Sequence, residues 1–234
     1  MIVGNGQLAK VFKNSDLQDT CIFASGVSNS GCTSASEFQR EADLLISTLK
    51  ENGDKKFVYF SSCALSAQDY PKNNYYKHKE NMEQLIKAHS SQYYIFRIPQ
   101  LFGDLILHKT LINFIYKAIE HNHHFNVYSE AYRYVIEIND VKQIVESFLK
   151  YHSTSSICMD IGNPYRYSVL EIVSILESLL KKKAKFNLID QSDQYELDFQ
   201  TMKRFIKQYG VNIDFHQDYL LNKLINNLIE TNKP

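Results

Sequence analysis

Three apolar residues, Met1 to Val3, run straight into Gly4-Asn5-Gly6-Gln7-Leu8-Ala9. The spacing Gly4-x-Gly6-x-x-Ala9 asks for a strand, a tight turn and a helix in immediate succession. Gly4 permits the turn, Gly6 lets the backbone approach a pyrophosphate, and Ala9 is small enough for the helix to lie on the strand. The start of that helix offers free N–H groups and a favourable dipole to an anion. The same glycines would also serve a plain strand–turn–helix in which they supply geometry alone.

Beyond the turn, apolar periods alternate between helical and extended. A first helix is expected over residues 7–13 and a strand at CIFASG, 21–26. Phe38, Ala42, Leu45, Ile46 and Leu49 recur with helical period across 34–50. FVYFSS at 57–62 is apolar without alternation, as in a parallel strand buried on both faces. A helix over 75–89 turns Met82, Leu85 and Ile86 inward, and YYIFRIP at 93–99 reads as a strand ended by Pro99. LFGD at 101–104 reads as a loop, 109–120 as a helix, YRYVIEIND at 132–140 as a strand and 141–149 as a helix. CMDIGNP at 158–164 is a strand and turn, and 168–180 a helix with Ser168 and Glu171 placed for a capping box. KFNLID at 185–190 is a short strand, and the tail from 195 to 229 holds two helical patterns around Gly210. Strand and helix alternation of this kind means a parallel α/β sheet with helices on both faces. One expected feature is absent. An acid about 20 residues past such a glycine turn commonly holds a ribose, yet the strand tip here is Ala24-Ser25-Gly26, with no acid and no Arg or Lys.

At 234 residues the chain is one ordinary domain, or one with a small appendage, and 44% hydrophobic residues suffice for a real core. Its 26 basic and 26 acidic residues cancel, which excludes a general nucleic-acid or anionic-membrane surface. Cys21, Cys32, Cys63 and Cys158 show no CxxC or metal spacing, so they read as reduced thiols. No apolar run approaches the roughly 20 residues of a membrane span, and no signal peptide is evident; a soluble cytoplasmic protein is expected. The HNHH turn at 121–124 reads as solvated histidines, and no metal site is expected. The apolar helix faces at 75–89 and 109–120 fit a homodimer or ordinary core packing equally.

Tyr75 and Lys79 stand four residues apart on the helix after FVYFSS, so phenol and ammonium share a face. A lysine beside a tyrosine favours phenolate, which eases proton exchange at that hydroxyl. Ser62, ending the preceding strand, could bond the same substrate oxygen. Such a trio suits hydride and proton transfer at a carbonyl or alcohol carbon.

Together these motifs resemble the extended short-chain dehydrogenase/reductase family, the NAD(P)-dependent sugar-nucleotide epimerases, dehydratases and reductases. FVYFSSCALSA looks like its strand ending in Ser-Ser, YYKHKENMEQLI like its Tyr-x-x-x-Lys helix with the usual Glu at Glu83, FRIPQLFGD like its Arg-x-x-Asn-x-x-Gly segment, and YRYVIEINDV like its Arg-to-Asp block. The resemblance implies Ser62, Tyr75 and Lys79 as catalytic residues. It implies Gly4, Gly6, Gln7, Leu8, Ala24, Ser25, Gly26, Lys79 and Pro99 at an NAD or NADP cofactor, and Cys63, Gln100 and Arg133 at a nucleotide-sugar substrate. Cys63 and Ala64 stand where dehydratases of the family carry acids, which favours reduction, oxidation or epimerisation. IFASGVSNS matches the family's fourth strand, so its second and third strands are expected to be missing and the sheet to run 1-4-5-6-7. The domain expectation is a Rossmann-like cofactor domain over 1–164, with lobe segments from about 100–135 inserted, and a mainly C-terminal substrate-binding lobe over 165–234. Closest in look are compact reductases of capsular and surface polysaccharide synthesis. The alternative, motivated by the missing strands, is a non-catalytic nucleotide or sugar-nucleotide binding protein on a degenerate Rossmann scaffold.

Overall fold

The computed structural model describes residues 1–106, 110–151 and 156–231. The first half of the chain forms β1 (Ile2–Val3), α1 (Gln7–Val11), β2 (Thr20–Phe23), α2 (Ala35–Asn52), β3 (Lys56–Ser62), α3 (Asn74–His89), β4 (Gln92–Ile98), β5 (Gln100–Phe102) and α4 (Leu111–Glu120). The second half forms β6 (His124–Arg133), β7 (Val135–Glu137), α5 (Ile138–Tyr151), β8 (Ile157–Asp160), β9 (Tyr167–Ser168), α6 (Val169–Leu180), β10 (Lys185–Asp193), α7 (Gln200–Tyr209) and α8 (Tyr219–Thr231).

Contacts divide the chain into two compact units. One comprises Met1–Ile98, Val141–Ile161 and Leu197–Val211; the other comprises Pro99–Asp140, Gly162–Glu196 and the chain from Asn212 onward. The first unit holds a five-stranded sheet of order β1-β2-β3-β4-β8, parallel throughout. This is the shortened Rossmann-like sheet: β2 lies directly on β1, and residues 12–19 between α1 and β2 contain neither strand nor helix. Side chains alternate across the sheet. Cys21, Phe23, Phe57, Tyr59 and Ile95 face Leu45 and Leu49 of α2 and Met82 and Ile86 of α3. The opposite face packs Phe60 on Phe12 just past α1 (5.7 Å between centroids) and Tyr94 and Phe96 on Phe148 of α5, which also meets Phe205 of α7.

In the second unit β10, β6 and β9 form a three-stranded sheet, and β5 pairs with β7. Its core draws on Ile112, Ile115 and Ile119 of α4, Ile172, Val173 and Leu176 of α6, and Tyr219, Leu220 and Leu224 of α8. The capping box at Ser168 and Glu171 forms as expected, and Gly210 ends α7 in the left-handed conformation. Two expectations need correction. LFGD at 101–104 is not all loop, because Gln100–Phe102 pairs in register with Val135–Glu137. The strand expected over 132–140 breaks after Arg133 and again at Ile138, where α5 begins. The extended pattern VIEI runs on into Ile138, which is already the first residue of the helix whose first turn holds Asp140. The expected helix 109–120 is present from Leu111, and Lys109 lies outside the described residues.

A polar knot ties α8 to the start of α5. The Tyr219 hydroxyl donates to Asp140 Oδ2 (2.5 Å) and accepts from the Glu137 N–H (2.9 Å), while Lys223 Nζ reaches Asp140 Oδ1 (2.7 Å). Burial, and then the Asp140 charge, push the Glu137 carboxyl from its ordinary 4.5 up to about 7. An acid whose folded pKa is raised contributes stability that is complete below about 4.5 and is lost as pH rises through about 7. Glu137→Gln should therefore melt higher than the wild type at pH 8 and show no such gain at pH 4. Paired thermal unfolding curves at the two pH values check this.

Candidate active site

The site begins where strands of the first unit end. After β1 the chain turns at Gly4, whose φ of +123° lies in a region that side-chain-bearing residues rarely adopt. A Cβ on Gly4 would lie 2.4 Å from the Ala24 carbonyl oxygen, so the tips of β1 and β2 close on each other. Gly6 differs: a Cβ there would meet nothing within 4 Å. Gln7, the first residue of α1, buries its Oε1 without a hydrogen-bond partner among the described residues. Leu8 beside it is half-buried.

β3 ends at Ser62, and Cys63–Leu65 forms one turn of 3-10 helix, with Cys63 and Ala64 buried, that α3 packs against. The Ser62 side chain takes no capping bond. Lys72 then folds the loop over itself by donating to the carbonyls of Ala64 and Ala67. Asn73 caps α3 by accepting from the Tyr76 N–H (3.1 Å), and its amide donates to the Ser30 carbonyl (2.9 Å). That cap sets the rotation of α3, and with it Tyr75 and Lys79, against the loop that follows β2.

Lys79 is 3% exposed and Tyr75 9% exposed, and Lys79 Nζ lies 5.9 Å from the Tyr75 ring centroid. The ammonium does not belong to Tyr75. It donates to Glu41 Oε1 (3.0 Å) and to the Tyr59 hydroxyl (3.0 Å), which itself donates to Glu41 Oε1 (2.7 Å). The other carboxylate oxygen of Glu41 takes the Val27 N–H (2.6 Å) and lies 3.0 Å from His78 Nε2. Burial alone would push the Glu41 carboxyl up; Lys79, with the bonds from His78, Tyr59 and Val27, outweighs it and holds Glu41 far below the usual range.

This arrangement corrects the expected electrostatics of Tyr75. Burial and then the Glu41 carboxylate drive its phenol well above the ordinary value rather than towards phenolate. Burial also lowers the Lys79 pKa, with Glu41 opposing it. Two of the three Lys79 donors are committed to Glu41 and Tyr59. Gly26 has its own part in this cluster: a Cβ there would sit 2.5 Å from Lys79 Nζ and 2.8 Å from Glu41 Oε1. The β2 tip, Ala24 to Gly26, and the Tyr-x-x-x-Lys helix therefore meet at one point.

A second network braces the far end of α3. Arg97 of β4 binds Glu83 through Nε (2.8 Å) and Nη2 (2.7 Å), and its Nη1 donates to Ser66 Oγ (2.9 Å), which donates to Asp160 Oδ1 (2.9 Å). Burial pushes Asp160 up to about 6.

The remaining expected site residues belong to the second unit. Pro99 is half-buried and Gln100 opens β5, its N–H bonded to the Tyr134 carbonyl at 3.1 Å. Arg133 ends β6 with its guanidinium on Asp193: Nη2 binds the carboxylate, and Nη1 binds the carbonyls of Asp193 and Tyr132, each at 2.8 Å. Cys63, expected at the substrate, is buried in the first unit. Glu41, Tyr59, His78 and Asp193 escape the motif-based reading altogether.

No protein-family model matches this sequence, and no curated protein does. Solved structures match its fold. MoeE5 in complex with UDP-glucose and NAD superposes with a TM-score of 0.73 at 15% identity, over 92% of this chain and 80% of that one. RMD from Pseudomonas aeruginosa, complexed with NADPH, gives a TM-score of 0.70 at 14% identity over 93% and 83%. UDP-glucose 4-epimerase from Bifidobacterium longum, in complex with NAD+ and UDP, gives 0.71 at 14% over 97% and 82%. The chain thus shares the Rossmann-like fold of these structures.

Proposed function

We propose that this protein is an NAD(P)-dependent oxidoreductase or epimerase acting on a nucleotide-activated sugar, with reduction of a keto-sugar as its reaction and surface polysaccharide synthesis as its setting. One observation carries the reading: Lys79, with Tyr75 on the same helix, meets the β2 tip at Gly26, where a Cβ would sit 2.5 Å from the Lys79 ammonium. A helix presenting tyrosine and lysine is thereby set against the strand end that such folds use for a dinucleotide.

The residues present fit the pyrophosphate and nicotinamide portions of the cofactor. Gly4 makes the turn, Gly6 leaves open space, and Gln7 holds a buried oxygen with no partner among the described residues. Lys79 keeps one N–H beyond the two given to Glu41 and Tyr59, enough for one ribose hydroxyl. When bound, the nicotinamide supplies or accepts the hydride. Tyr75, held protonated by burial and by Glu41, is suited to give its proton to the oxygen of a carbonyl under reduction. Ser62 would polarise that oxygen, and Gln100 and Arg133 would bind the sugar nucleotide.

The test is to incubate the protein with NADH or NADPH and a panel of nucleotide-linked keto-sugars, and with NAD+ and the corresponding sugars, following absorbance at 340 nm and the sugar proton spectra. Cofactor-dependent change in at least one sugar is expected; a folded protein that changes none sinks the enzymatic reading. One pattern favours the second reading, a non-catalytic sugar-nucleotide binder: Lys79 and Arg133, the two cations assigned to ligands, already hold Glu41 and Asp193. Binding of a nucleotide sugar without turnover would select it. Under either reading a diphosphate must compete with Asp193 for Arg133. Asp193→Asn should therefore bind UDP several-fold more tightly than the wild type by calorimetry, since a charged competitor becomes a neutral one.

A further inference from the structure

We infer that the cofactor site of this protein does not distinguish NADH from NADPH, an inference that rests on the cofactor reading above. In sheets of this kind the strand flanking β1 on its outer side carries the group that reads the ribose 2′ position, an acid for the hydroxyl or a nearby arginine for the phosphate. Here β1 is hydrogen-bonded to β2 on one side, and in the strand order it is the end of the sheet. Residues 12–19 carry the chain from α1 directly into β2 with no strand or helix between them.

The charges of that connection lie at the wrong end. The connection between two parallel strands returns the chain to the opposite end of the strands. Asp19 accordingly sits at the start of β2, where its carbonyl accepts the N–H of Lys56 at the start of β3 (3.1 Å). Lys13 and Asp16 precede it on the same return path. At the ligand end, the β2 tip is closed against Gly4 and presents Ala24, Ser25 and Gly26, the last filled by Lys79 and Glu41. Gly4, Asn5 and Gly6 are exposed. The nearest cation along the chain, Lys10, stands in the last turn of α1 rather than at the glycine turn. Among the described residues no strand flanks β1 on its outer side, and Gly4, Asn5 and Gly6 of the turn have no charged side chain.

A tenfold preference corresponds to about 1.4 kcal/mol, roughly what one hydrogen bond to a charged group contributes. With no charged reader at the turn, the two affinities are expected to lie within about threefold of each other. The full chain contains no Trp, so nicotinamide emission can be followed without energy transfer from indole. Titrations with NADH and NADPH are run in parallel near 0.15 M salt, where long-range charge effects are largely screened. Saturable binding of both with a ratio below tenfold supports the inference. Binding of either with a preference of tenfold or more overturns it while leaving the proposed function standing. If neither binds up to millimolar concentration and circular dichroism shows a folded chain, the proposed function fails and the inference falls with it.

Discussion

Glu41→Ala is expected to destabilise the protein by about 3–5 kcal/mol, the range for removing one partner of a buried ion pair. Glu41 is 0% and Lys79 3% exposed, so the truncation leaves an ammonium in a dry site with the Tyr59 hydroxyl as its remaining hydrogen-bond partner. Removing both charges should behave differently. The double variant Glu41→Gln with Lys79→Met keeps an acceptor for the Val27 N–H and leaves no uncompensated charge, so its stability should fall within about 1 kcal/mol of the wild type or above it. Urea unfolding at pH 7, with unchanged slope as the check on two-state behaviour, distinguishes the cases. A cost below about 1 kcal/mol for Glu41→Ala would mean that water reaches Lys79 freely. The pH dependence follows the same pair. Because the folded Glu41 pKa is depressed, its contribution is present above the ordinary glutamate value of 4.5 and is lost as pH falls towards the folded value. The double variant should therefore lose less stability in acid than the wild type.

Glu41 also shows what could and could not be read from the sequence. The spacing of Phe38, Ala42, Leu45 and Leu49 is enough to place α2 and its inner face. Glu41 lies on that same face, three residues after Phe38 and four before Leu45, and a carboxylate on an apolar stripe signals a buried charge needing a partner. What the sequence could not supply was the partner, because Lys79 is 38 residues away and its meeting with Glu41 depends on the β2–β3–α3 packing. For the same reason Tyr75 was expected to be poised towards phenolate: helical spacing shows Lys79 nearby but not that its charge is already compensated. The fold was more legible, since the glycine turn, the unbroken apolar strand at 57–62 and the capped helices are local signals. The short strand β5 was not, because three residues exert little periodicity and its pairing with β7 is fixed by tertiary contact. The partner of Arg133 is hidden from the sequence in the same way, since its acid Asp193 arrives on β10 from 60 residues away.

Tyr75→Phe should lower turnover by about 10²–10⁴-fold, the usual worth of a positioned proton donor, while leaving nicotinamide affinity within about threefold of the wild type. The separation follows from the geometry. Tyr75 touches its surroundings through its ring, edge-on to Tyr76 at 5.2 Å and beside Lys79, and phenylalanine keeps both contacts. The hydroxyl makes no hydrogen bond among the described residues that its loss would break. Its removal therefore leaves the Glu41–Lys79–Gly26 junction unchanged and takes away only the transferable proton. Because Tyr75 titrates well above neutrality, the wild-type rate of carbonyl reduction should show no fall attributable to this group between pH 6 and 9. Single-turnover reduction, compared for wild type and variant across that range, checks both statements. Equal rates would remove Tyr75 from the proton path and leave Ser62 as the group to test. A collapse of cofactor affinity in the variant would instead show that the hydroxyl holds the cofactor rather than the proton.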